Sequence, residues 1–565
     1  MKTFDNEYFL GYVNEVTPQY VRIHFPSSHL LGQFVHRGSI YAGGNVGNIV
    51  VIEGDEYGFL ARIVELELPD SERKEISEKA IHQDSTKFHP SGKAELLLVF
   101  NLFEPNKTIK TISKYPTIGA KVYSCSDEQI GIYVKEFGKK KDDNEANVYA
   151  ELGKLTSNDS PCRVSLNALF GRHCAVVGTT GGGKSWTIAK LIEETREKTD
   201  TKIILIDATG EYKGIGEVNC VLGTDTFFPY QKLTIPDLFF LLRPTGQSQR
   251  PILLEAIRSL KVVKIGSQHN PIKFGENSGL FPKAGRLKQD FLDFYRQNIK
   301  EIEDNKCDFD INKLASQIKN ECIYANGFND TTKWGGDDAK TYDYQTSLIS
   351  RITDLLNTDV FNKLFGFHDV DAAEKSIIDE INTFITGDNT VLRIGFEEIP
   401  AMFSAKEIIA NSIASYMLDL ARREKKFIET PIVFVVDEAH QFLNKSIKDE
   451  YFESQTLDAF DLIAKECRKF GLFLCLATQM PRDIPIGTLS QMGTFIVHRL
   501  INEQDKKSIE NASSSANKNV ISFLPILGEG EAMLIGVDFP MPLMIKMGEP
   551  IKKPNSNTPT LKNKK

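Results

Sequence analysis

A chain of 565 residues is too long for one hydrophobic core and calls for about two to four domains. With 41% hydrophobic and 25% charged residues it is expected to fold, with no extended disorder outside a C-terminal tail, and a net charge of −8 excludes a protein that coats nucleic acid over its whole surface. Its eight cysteines form no CxxC pair, which points to buried thiols rather than disulfides or zinc. Residues 1–7 lack the apolar core of a signal peptide, and no apolar run reaches the roughly 18 residues of a membrane span. The expectation is a cytoplasmic protein with no membrane segment.

Residues 1–150 read as a β domain. Val21, Ile23 and Phe25 alternate with Arg22 and His24, the period of a half-buried strand. Further strands are expected at 48–52, 58–68, 95–103 and 131–137, separated by glycine-bearing turns, as in a small barrel or sandwich. His24, His29 and His36 stand at no metal-ligand spacing and read as structural. The charged stretch 70–87 is expected as a loop or short helix, and the charged run 139–145 marks a change of texture.

An α/β pattern follows, expected at 151–224 and again at 386–550. The apolar run Cys174–Val177 leads into Gly178, Thr179, Thr180, Gly181, Gly182, Gly183, Lys184 and Ser185, and a helix opens at Trp186. Strand, glycine-rich turn and helix in that order are what a phosphate-binding loop requires. The glycines let successive N–H groups converge on a phosphate, and the helix adds its positive end. Lys184 is expected on the β- and γ-phosphates of ATP and Ser185 on Mg²⁺, with residues Gly178 to Trp186 as the nucleotide-binding stretch. The next strand, Lys202–Asp207, ends in a carboxylate and is followed by Glu211. Both acids are candidates for the nucleotide's surroundings, with an ordinary turn as the alternative.

From 225 to 385 the pattern is helical, a predicted insertion interrupted by the polar segment 329–343 and carrying no phosphate or metal signature. The sheet is expected to resume at 390–394, followed by a helix over 405–426. A continuous apolar strand then ends in Asp437 and Glu438. That pair, downstream of a phosphate loop, reads as a Walker B site in which Asp437 holds the Mg²⁺ shell and Glu438 polarises the attacking water. A helix at 460–469 carries Arg468, which suits either a helix-end cation or a finger acting on a neighbour's nucleotide. Gln479, closing the strand at 472–479, is a candidate γ-phosphate sensor. Arg499, after the strand at 493–498, is a second finger candidate. Residues 551–565 read as a disordered tail.

With these residues in place the chain resembles the HerA family, within the HerA–FtsK superfamily of RecA-like motor ATPases. The resemblance covers most of the chain. It rests on the phrases at 172–185, 207–212, 436–440, 463–471, 477–479 and 524–532, and the N-terminal β region is similar to the family's small HAS barrel. It implies an α/β fold, with a RecA-like P-loop core, an N-terminal barrel and a helical insertion. It also implies an ATP-hydrolysing homohexamer that threads double-stranded DNA through its pore. A partner nuclease of the NurA kind, or a sirtuin-like or other effector in anti-phage defence, would dock on the barrel face. Family roles fall on Lys184, Ser185, Asp437, Glu438 and Gln479, on Arg468 as the finger and on Arg499 less directly. Cys467 stands where glycine is common, and Ala208 and Thr209 replace a proline-containing turn. The DNA-contacting loops match no family motif; basic residues at 444–448 and Arg482 are the candidates. Two other readings remain: a ring scaffold that activates a partner under ATP control, and a secretion or conjugation ATPase of the same superfamily.

Overall fold

The computed structural model describes the chain except residues 1–3, 5, 33, 37–38, 42, 71–87, 104–107, 110–113, 126–129, 131–147, 157–159, 270–277, 369–373, 426, 444–445, 448–454, 514–515, 517, 540 and 557–565. The strand expected at 131–137, the charged run 139–145, nearly all of the stretch 70–87, and Asn444, Lys445 and Lys448 of the proposed DNA loop lie outside the described residues. The chain divides into two compact units, one of Met1–Thr201 with Phe473–Pro554, the other of Lys202–Leu472 with Asn555–Lys565.

The first unit opens with a closed six-stranded antiparallel barrel. Its strands are Phe9–Val16, Tyr20–His24, Ile49–Ile52, Tyr57–Glu67, Ser91–Asn101 and Lys121–Ser124. Tyr20–His24 pairs with both Phe9–Val16 and Ser91–Asn101, which closes the ring and leaves none of the six as a free edge. Val21, Ile23 and Phe25 point into the core with Val50, Ile52, Phe59, Ile63 and Leu96, as their alternation predicts. Register shifts between Val13 and Glu15 and within Tyr57–Glu67 bend the strands enough for closure. The strand expected at 95–103 runs instead over Ser91–Asn101. Buried Arg62 on the barrel donates to the carbonyl of Pro542, tying the barrel to the α/β part of this unit.

That α/β part is a mixed sheet in the order Pro161–Ser165, Tyr149–Leu155, Leu543–Met547, Glu531–Gly536, Thr494–Val497, Cys174–Val177, Leu472–Thr478. Cys174–Val177 lies between two parallel neighbours and is buried at every residue, which explains its unbroken apolar run. All eight cysteines are free and buried.

The second unit holds four parallel strands in the order Ile432–Val436, Lys202–Asp207, Val391–Gly395, Val218–Val221. Its helices include Gln249–His269, Leu314–Glu321, Ala339–Asn357, Ile377–Thr386 and Ala405–Glu424. Part of the polar segment expected at 329–343 therefore belongs to a helix, N-capped by Asp338. The helical region has its own cluster of Val262, Val263, Phe281, Phe291 and Ile302, beside a buried Lys283–Glu321 ion pair of 2.6 Å.

Two expectations are corrected. The α-helix ahead of Arg468 ends at Glu466, and residues Cys467–Phe470 form a 3₁₀ turn. Gly471 ends it at φ 79°, where a Cβ would stand 1.8 Å from the Phe427 carbonyl oxygen. The first residues of the expected tail are held rather than free. Ile551 N–H donates to Glu193 Oε2 at 2.6 Å, Lys553 sits over the Trp186 ring at 5.0 Å, and Asn555 N–H donates to the Glu211 carbonyl at 2.7 Å. Residues 557–565 are outside the described part.

Candidate nucleotide site

Each unit carries its own half of the motif set. In the first, the phosphate loop leaves the central strand at Val177, and the helix Lys184–Lys198 begins at its lysine. Gly181 and Gly183 adopt φ of 74° and 107°, which L side chains rarely reach, so glycine is required there. The turn leads directly into the N-terminus of the helix, whose first-turn N–H groups have no acceptor within the helix itself, the arrangement that binds anions. Lys184 Nζ lies 3.3 Å from the Thr179 carbonyl, folded over the loop it serves. Thr180 Oγ1 donates to Gln479 Oε1 at 2.6 Å, so the structure brings the sensor candidate onto the phosphate loop.

The loop rests on the end of the neighbouring strand. The Arg499 carbonyl accepts from Thr179 N–H at 3.0 Å and from its hydroxyl at 3.2 Å. The Arg499 side chain is exposed, and the part of it that touches the loop is its backbone. His498 is fully buried, with Nε2 2.8 Å from Thr187 Oγ1 and Nδ1 2.9 Å from the Glu531 carbonyl. Burial pushes its imidazole down to about 4; the Glu531 carbonyl opposes this and the Lys184 charge adds to it.

In the second unit, Asp207 and Asp437 sit on adjacent parallel strands at their carboxyl ends, where α/β sheets place functional groups. The Asp207 carboxylate is fully engaged. Its Oδ1 accepts from Gly210 N–H at 2.8 Å and Glu211 N–H at 3.2 Å, and its Oδ2 accepts from Tyr212 N–H at 3.0 Å and Arg393 Nε at 2.7 Å. Arg393 also holds Glu397 through two contacts of 2.9 Å. Asp207 thus braces the turn that presents Glu211. Burial, then the charges of Glu438, Glu211 and Asp207, push the Asp437 carboxyl well above the usual carboxylate range. Glu438 takes a left-handed backbone, φ 46°, a strained state for a residue with a side chain. His440 Nδ1 stands 3.3 Å from Glu438 Oε2, yet neither that oxygen nor Glu211 Oε2 has a well-formed hydrogen bond among the described residues.

Arg468 is exposed on its 3₁₀ turn. Arg482 is flanked by Asp505 at 3.4 Å and Asp483 at 3.8 Å, which offsets the charge expected to meet DNA phosphates. Sequence reasoning missed His498 and Arg393. Arg393 had a signal, since a charged residue inside the apolar strand Val391–Gly395 requires a buried counter-charge. His498 had a weaker one, as a polar residue closing a buried strand. Among the described residues no group of three or more His, Cys, Asp or Glu side chains is placed to hold a metal by itself, and no helix is long and apolar enough to cross a membrane.

Two family models match: "Helicase HerA, central domain" over residues 150–400, and "Helicase HerA-like C-terminal" over 424–564. A probable helicase of Methanocaldococcus jannaschii is 28% identical over 430 residues, 72% of each chain. A probable DNA double-strand break repair helicase HerA from the same organism is 25% identical over 500 residues, 83% of this chain and 87% of that one. Among solved structures, VirB4 of Thermoanaerobacter pseudethanolicus is similar at 14% identity and a TM-score of 0.41, over 72% of this chain and 97% of that one.

Proposed function

We propose, because this chain belongs to the HerA helicase family, that it is an ATP-driven motor that moves double-stranded DNA through a homohexameric ring. Family membership makes it a P-loop ATPase of the helicase type. The observation that supports the finer reading is the opposite chemistry of its two motif halves. One offers N–H donors, a helix N-terminus and Lys184; the other crowds Asp437 with Glu438, Glu211 and Asp207, and Arg393 pairs with Asp207. A phosphate chain suits the first half, and a divalent cation suits the second.

The residues fit Mg²⁺. Glu211 Oε2 and Glu438 Oε2 lack hydrogen-bond partners among the described residues, and Asp437 is crowded by negative charge that a cation would relieve. Magnesium takes one or two carboxylates and completes its shell with phosphate and water, so Ser185 and Asp437 are the expected protein share. When bound, it would supply positive charge against the negative charge of the transferring phosphoryl group. Lys184 then binds the β- and γ-phosphates. Glu438 accepts hydrogen bonds from the attacking water and orients it, and Gln479 reports the γ-phosphate to the loop through Thr180.

ATP would be hydrolysed where subunits meet, with exposed Arg468 reaching a neighbour's nucleotide and Arg499 as the second candidate. Residues 1–150 would form the docking face for a partner nuclease or defence effector. Residues 151–224 and 386–550 would form the motor, and 225–385 an insertion. The relative named as a double-strand break repair helicase supports duplex DNA as the track. The test is displacement of a third strand from a linear duplex. ATP-dependent release, lost in Glu438→Ala, is expected; hydrolysis without release would contradict translocation.

A further inference from the structure

We propose that His498 is a positioning residue of the phosphate loop. Held in its Nδ1–H tautomer, it clamps the loop and the first turn of the following helix onto the end of the neighbouring strand. The inference rests on the reading of Gly178 to Ser185 as the ATP phosphate site, and goes beyond it in saying what holds that site in shape.

Three sets of contacts carry it. The Glu531 carbonyl, 2.9 Å from Nδ1, can only accept, so Nδ1 bears the hydrogen. The neutral ring then offers Nε2 as an acceptor, and the Thr187 hydroxyl donates to it at 2.8 Å. Thr187 lies three residues after Lys184 on the phosphate-loop helix, so the ring links that helix to strand Glu531–Gly536.

The second set is steric. A Cβ on Gly178 would stand 2.5 Å from His498 Cβ, one on Gly182 3.4 Å from the same atom, and one on Gly183 3.3 Å from His498 Cε1. Gly178 and Gly182, unlike Gly181 and Gly183, do not have positive φ. Gly178 therefore lacks a side chain because His498 occupies its space, not because its backbone demands it. The third set is backbone: His498 N–H donates to the Val177 carbonyl at 2.7 Å, and the next carbonyl accepts from Thr179 N–H. His498 and Thr187 are both fully buried, so they act through the loop and do not touch the nucleotide.

The test is equilibrium binding of a fluorescent ATP analogue and steady-state hydrolysis by the full chain, with thermal unfolding of each variant alongside. Thr187→Val removes the hydroxyl with little change of shape. His498→Asn keeps an amide donor near the Nδ1 position and loses the link to Thr187. Each is expected to weaken binding and raise KM about tenfold, as loss of one buried hydrogen bond implies, with kcat at saturating ATP changed by less than about twofold. The double variant should be no weaker than the worse single variant, because one bond is lost in all three. Thr187→Ser, which returns the hydroxyl, should recover most of the affinity. A well-folded Thr187→Val that binds as wild type would overturn the proposal, as would a double variant near a hundredfold weaker. Should His498→Asn fail to fold, Thr187→Val and its serine rescue decide alone. A wild-type chain that binds no nucleotide would overturn the reading of the site itself, a result separable from the failure of the clamp.

Discussion

The phosphate-loop half and the carboxylate half of the motif set are built by opposite means. Around Gly178 to Ser185 the framework is neutral. A buried histidine, threonine hydroxyls and backbone carbonyls hold the loop, and Lys184 is the loop's own charged side chain. Around Asp437 the framework is ionic. Asp207, Glu211, Glu438 and Asp437 crowd together, with Arg393 neutralising Asp207 from beneath. A cradle for anions needs donors that stay fixed as the ligand comes and goes, which neutral hydrogen bonds supply. A cation site needs negative charge held in reserve, which costs stability until the cation arrives.

The largest expected effects separate the two halves by what is lost. Lys184→Ala should abolish both nucleotide binding and turnover. Glu438→Ala should lower turnover by about two to three orders of magnitude while binding persists, since the role proposed for Glu438 is water activation and not the cradle. Isothermal titration beside a phosphate-release assay checks the split. Loss of binding in Glu438→Ala would mean that the carboxylate half also holds the nucleotide. Arg468→Ala should lose hydrolysis by a similar factor and regain part of it when mixed with Lys184→Ala subunits, as the proposed trans role of this exposed arginine requires. No recovery at any mixing ratio would return Arg468 to a role within its own subunit.

Next in size is stability. Arg393→Leu leaves Asp207 buried beside other acids and should cost about 3–5 kcal/mol in chemical denaturation, far more than any surface arginine. Asp437→Asn should act in the opposite direction. Its carboxyl is raised above its unfolded value, so the stability it supplies is present at low pH and lost as pH rises through the folded value. Without Mg²⁺ at neutral pH the amide should therefore raise the melting temperature by a few degrees, and added Mg²⁺ should stabilise it less than wild type.

The smallest effect belongs to the neutral framework. His498, facing Lys184 and the Glu531 carbonyl, is pushed down to about 4, below its unfolded value of 6.5. Its contribution is complete above about pH 6.5 and is lost as pH falls toward 4, about 2 kcal/mol between pH 7 and pH 5. Denaturation of wild type against His498→Gln at those two pH values should differ by that amount. Equal slopes would mean that the ring is charged in the folded protein.

Much of this was legible in the sequence because its signals are local. The unbroken apolar runs before Gly178 and Asp437 marked buried parallel strands, and the alternation around Val21 marked a sheet with one wet face. The residue pattern left barrel and sandwich open, because closure depends on Tyr20–His24 pairing with a distant strand and on bulges that leave little trace in residue type; the family resemblance implied the barrel, and the structure has it. The end of the helix before Arg468 was misjudged because Gly471 is set by a tertiary approach to Phe427. The braces under the site, Arg393 for Asp207 and His498 for Gly178, were missed for the same reason. Each is a pairing between distant positions, and a single sequence carries only one side of it.

The measurement that bears most directly on the motor reading is ATP hydrolysis by the purified chain with and without linear duplex DNA across a salt series. Stimulation by DNA that fades steeply as salt rises is expected of a motor that grips phosphates through local basic contacts despite a net charge of −8. Hydrolysis indifferent to DNA at every salt concentration would contradict it, and would favour a ring that uses ATP to assemble a partner.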